Sequence, residues 1–130
     1  MKRALEEAEC DLGEISFVHA NGSGIPGEDI QEARSIARVF DGSKRIPVIA
    51  SKSVVGHLVD AVGTAELALS LLALQRKLLP PIVNLKDPDP ACDLNFVTRN
   101  PQATKGLGFL LHAFGLGGQS AALVISRREK

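Results

Sequence analysis

The chain is 130 residues long and 45% apolar, and its 15 basic and 15 acidic side chains cancel. That suffices for one ordinary domain with a core of its own, expected over residues 1–130. Zero net charge gives no reason to expect nucleic acid or an anionic membrane as partner, and the absence of Tyr and Trp removes the stacking platform that bases use.

Residues 2–10 are helix-permissive and run into a stop at Asp11, Leu12 and Gly13. Residues 14–20 (EISFVHA) are β-branched and aromatic and read as a strand, followed by a glycine-rich loop over 21–27. Ile30, Ala33, Ile36, Ala37 and Phe40 recur at helical spacing, which predicts a helix from Glu28 that stops at Asp41 and Gly42. Residues 45–50 (RIPVIA) form a second short strand, expected to be ragged or near an edge because of Pro47. After the turn at 52–57, the run from Leu58 to Leu74 is interrupted by little besides Glu66, Thr64 and Ser70. So apolar a helix is expected in the middle of a layered domain. A proline-rich extended crossing over 80–93, a short strand at 94–97, strands at 107–114 and 120–126 and a solvated RREK tail complete the chain.

Strand–helix alternation closed by two terminal strands argues for an α/β domain with a mixed sheet. Three loops then gather at strand ends, where ligands bind α/β sheets: 21–27, 51–57 and 115–118. Lys52 and His57 stand at the mouth of the apolar helix, where donors and a positive helix end can stabilise developing negative charge. Glu66, an acid inside that helix, needs a partner, and Lys52 is the candidate. Cys10 and Cys92 form neither a disulfide framework nor a metal motif, and His19, His57 and His112 are not spaced as metal ligands. Glu66 splits the longest apolar run, so no membrane span is expected, and without a secretory core cytoplasm is the expected compartment.

The pattern KSxxGHxxxAxGxxE over 52–66, the stretch LALQRKLLPPIVNLKDPDPACDLNFV after it, and FGLGG over 114–118 together resemble β-ketoacyl-acyl-carrier-protein synthases of the elongating type. The similarity runs from about Ile15 to Ile125. It implies the C-terminal half of a thiolase-like fold, with a mixed sheet layered against a buried central helix. It also implies decarboxylative condensation of malonyl-carrier protein with an acyl thioester, in fatty acid or polyketide synthesis. No metal or cofactor is implied beyond the phosphopantetheine arm of an acyl carrier protein. That carrier and a second synthase subunit, in a homo- or heterodimer, are the implied partners.

Carried over by residue, the resemblance makes His57 the second active-site histidine, Lys52 its supporting lysine and Glu66 the acid of the polar network behind them. Phe114, Gly115, Leu116, Gly117 and Gly118 would be the acyl gate loop, with Leu116 where many members carry phenylalanine. Two departures stand out. The family's nucleophilic cysteine lies in a first half that this chain does not match, so neither Cys10 nor Cys92 is expected to serve as nucleophile, and the chain alone is not expected to transfer acyl groups. The family line VNAHGTST reads Val18-His19-Ala20-Asn21-Gly22-Ser23-Gly24 here, which puts Asn21 in the first catalytic histidine's place. An amide can donate a hydrogen bond but cannot exchange a proton. Asn21 therefore also admits a different function, a non-condensing partner akin to a chain-length factor. Two residues from Asn21 along the strand, His19 would share its face and could reach the same cavity, but His19 and His112 are both expected to be buried strand histidines.

Overall fold

The computed structural model describes residues 1–40, 46–115 and 117–127, and strand β1 (Ile15–His19) lies at its centre. Around it five strands run in the order β4-β2-β1-β6-β7, where β2 is Pro47–Ile49, β4 Asn95–Phe96, β6 Gly108–Phe114 and β7 Ser120–Ser126. The first four are parallel and the last pair antiparallel, the mixed sheet expected. A separate two-stranded ribbon pairs β3 (Leu78–Leu79) with β5 (Gln102–Ala103). Neither of these short strands was legible in the sequence. Among the described residues no helix is long and apolar enough to cross a membrane.

Strand parity, shifted in β1 by an irregularity between Ile15 and Phe17, divides the core in two. On one face Ile15, Val18, Val48 and Leu110 pack with Ile36 and Phe40 of α2 (Pro26–Val39) and Leu5 of α1 (Lys2–Glu7). On the other, Phe17, Ile49, Phe109 and Leu111 pack with Ala73 of α4 (Val62–Arg76), and the Phe17 and Phe109 rings stack at 5.2 Å. The same parity sends the two strand histidines to opposite layers: His19 follows Phe17 toward α4, and His112 follows Leu110 toward α2.

Three expectations are corrected here. Strand β2 is internal, between β4 and β1; Pro47 is tolerated because it is the first strand residue, where its missing N–H costs little. The apolar run is not one helix from Leu58: Lys52–Val55 forms a single turn, α3, residues 59–61 a 3-10 turn, and α4 starts at Val62. Nor is α4 buried all round within this chain. It turns Glu66, Ser70 and Ala73 to the sheet and leaves Leu71 and Leu72 44% and 51% exposed. Its sheet-facing side carries Glu66 and Ser70 beside the apolar Leu67, Ala73 and Leu74, because hydrogen-bonding partners for the polar pair wait on the sheet side. The expected stop at Asp41 and Gly42, the strand start at Arg45, Leu116 and the last tail residues lie outside the described residues.

At Gly108 the neighbouring strand β7 leaves no room for a side chain. A Cβ there would collide with the Ile125 carbonyl oxygen and sit 2.9 Å from the Ser126 Cα. The β7 backbone cannot yield as a flexible side chain would, so Gly108→Ala is expected to destabilise the protein by about 1–3 kcal/mol in chemical denaturation. A loss under about 0.5 kcal/mol would show that the strands can separate freely there.

Candidate active site

The ends of β1 and β2 bring two of the three glycine-rich or polar loops together. Asn21, two residues beyond β1, is buried at 3% exposure, and Lys52 opens α3 just after β2. Lys52 Nζ donates to the Asn21 carbonyl oxygen at 2.6 Å, to Asn21 Oδ1 at 3.2 Å and to Glu66 Oε1 at 2.7 Å. An ammonium has three N–H donors, and all three are used. The expected partnership of Lys52 with Glu66 is thus present as an ion pair, with side chains 7% and 0% exposed. Burial holds the Glu66 carboxyl above its ordinary pKa, against the opposing pull of Lys52.

The third loop joins through the last residue of β6 before it, since the Phe114 N–H donates to Asn21 Oδ1 at 3.4 Å. Two donors, Lys52 and Phe114, therefore converge on one oxygen. That fixes which way the amide is turned: Oδ1 faces inward and the NH2 group faces away from the lysine. Gly115 donates to the Gln119 carbonyl at 2.8 Å and Gly118 to that of Gly115 at 3.0 Å, which closes the hairpin.

His57 stands outside this network. It is exposed and follows Gly56, whose φ of 72° and ψ of −178° lie in a region open essentially to glycine alone. Its Nδ1 accepts the Val59 N–H at 3.0 Å, with Val59 itself in the left-handed region at φ 49°. A strained β-branched residue beside a histidine is a frequent mark of a functional site. The bond puts the neutral ring's proton on Nε2, which makes that nitrogen a donor. Between His57 and Glu66 the chain passes through the 3-10 turn at residues 59–61 before α4 begins at Val62, so no single helix joins the two.

Behind Asn21 lies a second buried acid that sequence reasoning passed over. Glu32 on α2 accepts the backbone N–H groups of Asn21 at 2.8 Å and Gly22 at 2.9 Å, together with His112 Nδ1 at 2.9 Å. Its sequence signal was available: Glu32 precedes Ile36 and Phe40 at intervals of four, on the helix face that packs against the sheet. His19 is the buried strand histidine expected. It does not reach the Asn21 cavity but lies a layer deeper, bonded to Ser70 at 2.7 Å and Ser51 at 3.2 Å. Burial, followed by the nearby positive charge of Lys52, pushes its pKa down to about 4. Both thiols are pushed up, each chiefly by burial. Neither is the thiolate that nucleophilic chemistry needs, although Cys92 lines a cleft of about 530 Å³ whose rim includes Lys52.

Residues 1–86 match the family described as the C-terminal domain of beta-ketoacyl synthases. The chain belongs to the β-ketoacyl synthase family. This synthase domain is 35% identical over 98% of its length to 3-oxoacyl-[acyl-carrier-protein] synthase 2 of Coxiella burnetii, of which it spans 31%. Its fold is the thiolase-like fold of solved ketosynthases. It superimposes with a TM-score of 0.91 and 26% identity on the ishigamide ketosynthase/chain length factor, over 98% of this chain and 32% of that one. The TM-score is 0.92, at 25% identity, to a type II polyketide synthase ketosynthase solved with its acyl-carrier protein and the hexaketide, with the same coverage of 98% and 32%. The synthase domain thus spans about a third of the length of the proteins it matches.

Proposed function

We propose that this domain supplies the hydrogen-bonding half of a condensing active site, in which Asn21 and His57 donate to the carbonyl oxygen of a carrier-bound thioester. The observation that carries the reading is the pinned Asn21 amide. With Oδ1 held by Lys52 and Phe114, its N–H groups are turned away from the lysine and available to a ligand. His57 offers a second neutral donor, Nε2–H, because Nδ1 is occupied. In the reaction of the family, a malonyl thioester loses carbon dioxide and the electron pair left on carbon forms the new bond to an acyl group held on cysteine, whose thiolate departs. Donors aimed at the thioester oxygen stabilise the enolate formed on loss of carbon dioxide. The nucleophile would come from the remainder of the protein, the substrates on the phosphopantetheine of an acyl carrier protein, and a second synthase subunit would complete the dimer.

Asn21 also favours a second reading, a non-condensing partner that shapes the acyl pocket of an active synthase, as a chain-length factor does. The amide cannot take or give a proton, so whatever acid–base help a histidine gives is absent, commonly a factor of about 100 or more. The deciding experiment uses the full-length protein with acyl- and malonyl-loaded carrier protein, following carbon dioxide and product by mass spectrometry. Turnover by the natural protein supports the donor-pair synthase. Turnover confined to Asn21→His supports the partner reading, and silence from both removes the donor-pair proposal.

A further inference from the structure

His19 is 1% exposed and touches two serines on two other elements: Ser70 on α4, and Ser51 at the junction of β2 and α3. The proton positions follow from the geometry. Ser70 Oγ lies 2.8 Å from the Glu66 carbonyl oxygen, and two oxygens at that separation need a proton between them. Ser70 therefore donates to the carbonyl and meets His19 Nδ1, 2.7 Å away, as an acceptor. The ring nitrogen is the donor there. With Nδ1 protonated, Nε2 presents a lone pair to Ser51 Oγ at 3.2 Å. Ser51 has one proton and two takers, since Glu66 Oε1 lies 3.5 Å from the same hydroxyl.

We infer that His19 is a positioning residue for the site: in its Nδ1–H form, Nε2 accepts the hydrogen bond of the Ser51 hydroxyl, leaving Lys52 as the donor that holds the buried Glu66 carboxylate. Glu66 Oε2 has no hydrogen-bond partner among the described residues, so the carboxylate is under-solvated and draws the ammonium firmly. Lys52 is in turn one of the two donors that set the Asn21 amide. A chain of single-proton choices thus runs from His19 through Ser51, Glu66 and Lys52 to the amide that faces a ligand. A doubly protonated ring would reverse the first choice, turn Ser51 onto Glu66 and give the carboxylate a second donor. Burial and the Lys52 charge both oppose that state. The inference rests on the proposed function only in naming Asn21 as the group delivered.

The test is spectroscopic and needs no turnover. In the ¹⁵N-labelled full-length protein, His19 is expected to carry its proton on Nδ1 alone from neutral pH down to about pH 5.5, and the Lys52 ammonium protons are expected to be protected from exchange. His19→Leu removes the acceptor for Ser51, and the ammonium protons should then exchange about tenfold faster. His19→Gln, whose amide supplies one donor and one acceptor, should restore protection to within about twofold. A proton on Nε2 at neutral pH overturns the inference. So does unchanged Lys52 exchange in the leucine variant, or a folded glutamine variant no better than leucine. If the leucine variant does not fold, the ring proton in the natural protein still decides. A natural protein that shows both signatures yet condenses nothing overturns the donor-pair reading and leaves the role of His19 standing.

Discussion

Replacing Lys52 by methionine is expected to lower the stability of the intact protein by about 3–5 kcal/mol, measured by urea unfolding. The side chain is as long as the lysine stem, so packing changes little, but Glu66 loses its counter-charge while remaining at 0% exposure. The effect has a pH signature. Burial already raises the Glu66 pKa above its ordinary 4.5, and Lys52 is the chief force lowering it. In the variant the folded value rises further, so over the interval above 4.5 the native state binds more protons than the unfolded one. Stability is then retained on the acid side and falls as pH rises. The double replacement Lys52→Met with Glu66→Gln should flatten that slope and recover most of the loss. A methionine variant as stable as the natural protein would mean that the carboxylate finds water or another cation.

The second large effect runs in the opposite direction along the pH axis. The folded pKa of His19 is depressed from 6.5 to about 4, so below 6.5 the unfolded chain takes up a proton that the native ring refuses. The contribution is fully present above 6.5 and is lost progressively as pH falls toward 4, to a total of about 3 kcal/mol. Lys52 and Glu32 are the charged groups whose fields reach the ring, and Ser51 and Ser70 are its hydrogen-bond partners. Unfolding free energies of the natural protein and of His19→Gln, compared between pH 7 and about pH 4.5, isolate the term, because every other group is common to both. Parallel curves would show that the ring is protonated as readily in the fold as out of it.

Much of the architecture was legible because strands and amphipathic helices carry their periods in the sequence. Residues 14–20 and the 107–114 and 120–126 pair read correctly, and so did the helix that ends near Phe40. The partnership of Lys52 with Glu66 was legible for a different reason: an acid inside an apolar run must be neutralised by something, and the motif offered one cation. The orientation of α4 was not legible. Composition tells that a helix is apolar but not which side faces the sheet, and here Glu66 and Ser70 face inward because Lys52 and His19 await them. Nor could strand alternation alone separate His19 from Asn21, since the shared-face rule ends where β1 ends. Glu32 was missed because a glutamate among the charges of an amphipathic helix looks solvated until its alignment with Ile36 is weighed against the bare N–H groups of the Asn21 loop.

The saturation of Lys52 bears on chemical damage. A primary amine close to an acyl thioester is ordinarily a sink for the acyl group: the nitrogen attacks the carbonyl carbon, an amide forms, and the enzyme is dead. Attack requires a lone pair on nitrogen and freedom to approach. Lys52 offers neither while its three N–H bonds end on Asn21 and Glu66 oxygens at 2.6, 3.2 and 2.7 Å. If thioesters pass Asn21 as proposed, the arrangement that orients the amide also keeps the lysine from acylating itself, and loss of Glu66 would expose the protein to slow self-inactivation by its own substrate.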